Sequence, residues 1–143
     1  MKANELMIGD WARVTEKADK DYFFGEYKPG EIVQVREILD YGINPDWCGA
    51  EVNDVLHLEA IEPIPLTKEI LEANGFKEYI PGLNLMYGLG GPYIASNEEG
   101  NQWVFGLVKR DKSARYPLVK ITYVHEFQHA LRLCGIDKEI IIK

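Results

Sequence analysis

Five residues near the middle of the chain, Glu62-Pro63-Ile64-Pro65-Leu66, constrain its architecture more than any other stretch. Proline fixes φ and lacks an N–H, so two prolines this close exclude a helix interior or a central strand. The segment reads as a joint between two halves. The charge changes at the same place. Up to Leu66 there are 6 basic and 14 acidic residues, whereas from Thr67 onward there are 10 and 9. The formal net charge of −7 therefore belongs almost wholly to the first half.

A chain of 143 residues makes one domain or two very small ones, and halves this small are expected to share a core. Apolar residues at 46% and charged residues at 27% exclude a long disordered or collagen-like chain. The acidic balance disfavours non-specific binding of nucleic acid or anionic lipid. No run of 18 apolar residues occurs, so no membrane span is expected. Met1 to Asp10 lacks the apolar region of a signal peptide. Cys48 and Cys134 lie far apart and do not form a metal-type pair. A reduced, cytoplasmic chain is the expectation.

The first half reads as short strands and turns. Trp11 to Val14 is a brief strand after Gly9-Asp10, and Lys17 to Lys28 is a loop rich in large rings. Lys28-Pro29-Gly30 is a turn. Glu31 to Ile38 alternates apolar and polar residues, as a half-buried strand does. A loop from Tyr41 to Trp47 and short strands over Ala50 to Leu58 and Glu59 to Ile61 complete a pattern that suggests a small barrel. With a glycine-aspartate before an aromatic strand, it resembles an SH3-like module. Such folds present aromatic loop residues to a peptide or to nucleic acid. Trp11, Tyr22, Phe24 and Trp47 are the candidate partner-binding rings.

The second half opens on a short helix from an N-cap at Thr67 to a stop at Gly75. Pro92 to Ser96 and Gln102 to Val108 form a hairpin, and Leu118 to Ile121 is a further strand. An amphipathic helix runs from about Thr122 to Cys134, and Lys138 to Ile142 reads as a last strand. Gly88-Leu89-Gly90-Gly91 lacks the Lys-Ser/Thr and the preceding strand of a phosphate loop.

His125-Glu126-Phe127-Gln128-His129 matches the zinc-hydrolase string H-E-x-x-H. Histidines at i and i+4 share a helix face and can both ligate Zn²⁺, while the intervening Glu126 can act as general base on a bound water. On a helical wheel the two histidines lie opposite the apolar stripe of Phe127, Ala130, Leu131 and Cys134, a face that would line a cleft in an enzyme and meet solvent otherwise. A third ligand is the difficulty. Only 14 residues follow His129, none of them histidine. Arg132 and Gly135 stand where the longer metzincin pattern needs glycine and histidine, leaving Asp137 as the candidate, with His57 as a remote one.

Ile61 to Thr67, Glu69-Ile70-Leu71, Asn74-Gly75-Phe76, and Ile121 to His129 with Leu131 and Gly135 together resemble a group of small uncharacterised proteins of gut Bacteroidetes and their mobile elements. Ile8-Gly9-Asp10-Trp11 fits the same group. The resemblance covers about half the chain. In that group the last helix reads closer to Y-V-H-Q-L-Q-N, which implies that the zinc-type string is particular to this sequence. The group carries no established activity, so the resemblance implies no functional residue.

The loop from Lys109 to Arg115 holds Lys109, Arg110, Lys112 and Arg115 against one acid, and with Lys120 it could touch phosphates, Tyr116 and Trp103 stacking on bases. A solvated hairpin tip is the simpler reading. The expected fold is α+β: an SH3-like β-barrel over 1–62, then a compact α+β unit over 63–143 with a late amphipathic helix. The expected role is a non-enzymatic accessory or adaptor that binds a protein partner without a cofactor. Zinc hydrolysis and nucleic-acid contact through 109–120 are the alternatives.

Overall fold

The computed structural model describes residues 1–16, 27–45, 56–79, 85–88, 91–96, 101–109 and 114–142. Strands and helices are both present, so the chain is an α+β protein. It divides into two compact units, Met1–Ile64 and Pro65–Lys143.

In the first unit a 3-10 turn over Ala3–Glu5 leads into β1 (Trp11–Val14), followed by β2 (Ile32–Gln34), β3 (Glu37–Ile38), β4 (Gly42–Asn44) and β5 (Leu56–His57). A second 3-10 turn, Leu58–Ala60, feeds β6 (Ile61–Pro63). β1 is central in one three-stranded antiparallel sheet, ordered β2-β1-β6, and β4 is central in the other, ordered β3-β4-β5. Among the described residues both sheets are open. Alternation along β1 buries Ala12 and Val14 and leaves Trp11 and Arg13 half-buried. Ala12 faces Val33 and Val14 faces Ile61 across the sheet, and these residues join Leu6, Val35, Ile43, Leu56 and Ala60 in one core.

The alternating run from Glu31 to Ile38 is two strands rather than one. The break has a physical cause. The Val35 N–H donates to Asp10 O at 2.8 Å, still beside β1, but the next N–H, of Arg36, donates to Asn44 O at 3.0 Å in the second sheet. The chain changes sheets at this corner, as strands do where two sheets share one core.

In the second unit the Thr67 hydroxyl accepts the N–H of Ile70 at 3.3 Å and starts α1 (Lys68–Ala73). Gly75, at φ +93°, ends it. There the Phe76 N–H reaches Leu71 O at 3.0 Å and the Gly75 N–H reaches Glu72 O at 3.3 Å, the two bonds of a Schellman motif. β7 (Lys77–Glu78), β8 (Leu85–Tyr87), β9 (Pro92–Ser96), β10 (Trp103–Val108) and β11 (Arg115–Ile121) then form an antiparallel meander in the order β11-β10-β9-β8-β7. α2 (Val124–Leu133) packs on this sheet. Phe127 meets Phe76 and Phe105 edge-on at ring-centroid distances of 5.6 and 6.0 Å, and all three rings are buried.

The expected strand over Lys138 to Ile142 is absent among the described residues. Instead the side chain of Asn74, 2% exposed, takes the place of a neighbouring strand for this segment. Its amide donates to Ile141 O at 2.9 Å and to Ile70 O at 2.8 Å, and its carbonyl accepts the Ile141 N–H at 2.8 Å. Both main-chain groups of Ile141 are thus satisfied without a ladder.

Candidate functional site

The candidate site lies in the second unit, between β11 and the last turns of α2. It begins with an irregularity in the sheet. Phe105 pairs with Val119 but the next residue, Gly106, pairs with Pro117, so Leu118 is an extra residue on β11. A bulge of this kind breaks the two-residue alternation and re-aims a side chain. Leu118 and Val119, adjacent in sequence, consequently both line one cleft. Gly106 makes the close approach possible. A Cβ there would fall against Tyr116 O, 2.7 Å from Tyr93 Cε1 and 2.9 Å from Pro117 Cα.

The cleft has a volume of about 370 Å³. Its walls are Phe105, Leu118 and Val119 on the sheet side and Ala130, Leu133 and Cys134 on the helix side, with Lys120, Glu126 and His129 as its polar members. Leu118, Val119 and Leu133 are 56%, 45% and 89% exposed. Three large apolar side chains thus stand open around one concavity.

The zinc-type string falls on the first turns of α2. His125 and His129 do come together, with ring centroids 5.7 Å apart and the rings edge to face. The wheel's solvated face is corrected for the first of them. His125 is only 5% exposed, with the Tyr123 ring stacked on it at 5.9 Å. Glu126 is at the third position of the helix, and its carboxylate turns back over the helix start. Oε2 accepts the N–H of Thr122 at 2.7 Å and of Tyr123 at 3.1 Å. That is the work of a capping acid: it satisfies donors that a helix start leaves without partners and complements the positive end of the dipole. Asp137 is exposed on the segment beyond Gly135. Among the described residues no three His, Cys, Asp or Glu side chains group so as to hold a metal ion.

Of the basic loop, Lys109 and Arg115 are described and flank its two ends, while Arg110 and Lys112 lie outside the described residues. The Arg115 guanidinium sits 5.8 Å from the centroid of the buried Tyr93 ring. Trp103 cannot stack on a base. It is 2% exposed and its indole N–H donates to Leu66 O at 3.0 Å. Tyr116 remains half exposed. Of the rings expected to bind a partner, Trp11 is half-buried on β1, and Tyr22, Phe24 and Trp47 lie outside the described residues.

The residues that sequence reasoning passed over are Leu118, Val119 and Leu133. Leu133 left a trace, since it falls beside His129 on the polar side of the helical wheel. The bulge left none, because it depends on how β11 registers against β10. Among the described residues no helix is long and apolar enough to cross a membrane. Comparison with protein-family models, with curated proteins and with solved structures finds no match.

Proposed function

We propose that the chain is a non-enzymatic accessory or adaptor protein that binds a protein partner and acts without a resident metal or cofactor. The observation that carries this reading is the cleft between β11 and α2, with Leu118, Val119 and Leu133 open around it. Burying apolar surface is the main favourable term in protein association, at about 25 cal/mol per Å². The engagement of Glu126 by two backbone N–H groups supports it further, because a general base must direct its lone pairs at a water.

An SH3-like first unit also fits this role. Supporting it are the pairing of the first strand with the last, the 3-10 turn before β6, and the corner at Val35-Arg36 where the chain passes from one three-stranded sheet to the other.

The test is quantitative capture of partners from an extract of the source organism, using the wild type and a Leu118→Ser/Leu133→Ser variant. Both positions are exposed, so the variant should keep its stability to within about 0.5 kcal/mol. A partner retained by the wild type and lost from the variant is expected. Equal recovery by both would remove the cleft from the function.

A further inference from the structure

The one Asn-Gly pair of the sequence is Asn74-Gly75, and the fold sets it where α1 ends and the last segment is held. Such a pair carries its own chemistry. With no side chain at Gly75, its main-chain nitrogen can reach the Asn74 side chain unhindered. Hydroxide or water takes the proton of the Gly75 N–H, and the nitrogen attacks Cγ. A Cγ–N bond forms, the Cγ–Nδ2 bond breaks, and the amide nitrogen takes up a proton and leaves as ammonia. Water then opens the cyclic imide at either carbonyl, giving aspartate or isoaspartate. Nothing is oxidised or reduced, and water is the only co-reactant consumed.

Three features of the fold oppose the first step. At the Asn74 ψ of 20° the Gly75 nitrogen is turned to the far side of the Cα–C bond from Cβ, whereas ring closure needs the two nearly eclipsed. The Gly75 N–H is engaged by Glu72 O at 3.3 Å. The side-chain amide, 2% exposed, cannot turn without giving up its bonds to Ile70 O, Ile141 O and the Ile141 N–H.

We propose that Asn74 is a deamidation site, held unreactive while Ile141 is docked on it and converted to a carboxylate when that segment lifts away. The conversion runs one way. The product has no hydrogen to give Ile70 O or Ile141 O, and burying a carboxylate against two carbonyl oxygens is costly. The isoaspartate form also adds a methylene to the main chain where α1 turns. The segment that carries Ile140, 1% exposed in the closed protein, therefore stays undocked, and the surface under Ile140 stays open. A brief local opening is turned into a lasting one by a reaction encoded in two adjacent residues.

The experiment ages the full chain in mildly alkaline buffer and follows the tryptic peptide Glu69–Lys77 by mass spectrometry, with a synthetic peptide of that sequence as the unfolded reference. The folded protein should react at least about tenfold more slowly than the free peptide, because only its locally opened form is competent. Ile141→Pro removes the N–H that Asn74 accepts at a side chain 52% exposed, and it should speed the reaction about tenfold through the lost buried bonds. In the wild type, the rate should rise together with hydrogen exchange at the Ile141 amide as urea is added below the unfolding transition. Purified deamidated protein should exchange that amide faster than the unaged protein.

Equal rates in the folded protein and the free peptide would overturn the protection. A rate that is unchanged by Ile141→Pro, or that in urea rises only with global unfolding, would show that the last segment does not govern it. The urea series needs no variant, so it decides the matter even where Ile141→Pro does not fold. Unchanged protection of the Ile141 amide after deamidation would overturn the one-way release.

Discussion

The indole N–H of Trp103 donates to the carbonyl of Leu66, 3.0 Å away and 37 positions earlier in the chain. Leu66 in turn donates its N–H to Thr122 O at 3.0 Å, and Pro65 bridges Tyr123. The end of the proline joint is thereby tied to the first residue of β10 and to the entry of α2. Trp103→Phe keeps most of the ring and removes the donor, leaving a buried carbonyl short of a partner. The expected loss is about 1–3 kcal/mol, read from the urea midpoint.

The two roles open to Glu126 predict opposite effects on stability. As a capping acid, its replacement by Ala should cost about 1–2 kcal/mol, and Glu126→Gln, which can still accept both N–H bonds, should cost less. A catalytic carboxylate held for chemistry would give no loss, or a gain, on the same substitutions. Thermal and chemical denaturation of the two variants distinguish these outcomes.

Gly106→Ala should cost more than an ordinary strand glycine substitution, about 2 kcal/mol or more, because the new Cβ meets the main chain of β11. Gly91→Ala is the control. A Cβ added at Gly91 would meet nothing within 4 Å, and the substitution should change stability by under about 0.5 kcal/mol. Equal effects in the two variants would mean that β11 is not held in the register that defines the cleft.

The sequence made some of this visible and hid the rest for identifiable reasons. Local chemistry was readable. Thr67 as an N-cap, Gly75 and Gly135 as helix stops, and the hairpin of β9 and β10 all follow from short-range rules and are present. What depends on distant partners was not. The alternation from Glu31 to Ile38 is real, but a change of sheet at Val35 does not alter its period. Ile140-Ile141-Ile142 has strand propensity, yet a side-chain amide took the place of a strand beside it. For the candidate site, the helix and its two histidines were readable as a unit, while the burial of His125 depends on its packing in the folded unit and not on its place on the helical wheel. The cleft depends on a bulge that has no sequence signature.

Alkaline pH should weaken the protein through Tyr93. Burial holds its phenol above the usual value of 10.0, Arg115 opposing and Tyr87 adding to the effect. Below about pH 10 the phenol is protonated in both states, so its contribution is fully present. As the pH rises past about 10, the unfolded chain loses the proton first, and stability falls until the pH passes the raised value of the folded phenol. The net sign follows from proton counts: above about pH 10 the folded state binds more protons than the unfolded one, so stability declines with pH. The bond of 2.6 Å from Lys68 to Glu78 raises the Lys68 ammonium and acts in the same direction. Denaturant midpoints followed from about pH 8 to about pH 11 should decline at the alkaline end. Tyr93→Phe should make the decline shallower.

Asn74→Ala should remove three hydrogen bonds made by a buried amide, at a cost of about 2–4 kcal/mol. Asn74→Asp keeps an acceptor for the Ile141 N–H but sets a buried carboxylate against the carbonyl oxygens of Ile70 and Ile141, so it should cost at least as much as the alanine variant. Hydrogen exchange at the Ile141 amide is the direct readout and should accelerate in both variants.

The amide of Asn74 also places the last segment in time. The two residues it joins are 67 positions apart, so the chain must close a long loop before the contact returns any energy. Sheet and α2 lie between them in sequence and must come together first. Loss of the contact should therefore leave the folding rate nearly unchanged and accelerate unfolding. Ile141 is then the latch of the second unit: the last part to close when it folds and the first to open when it comes apart.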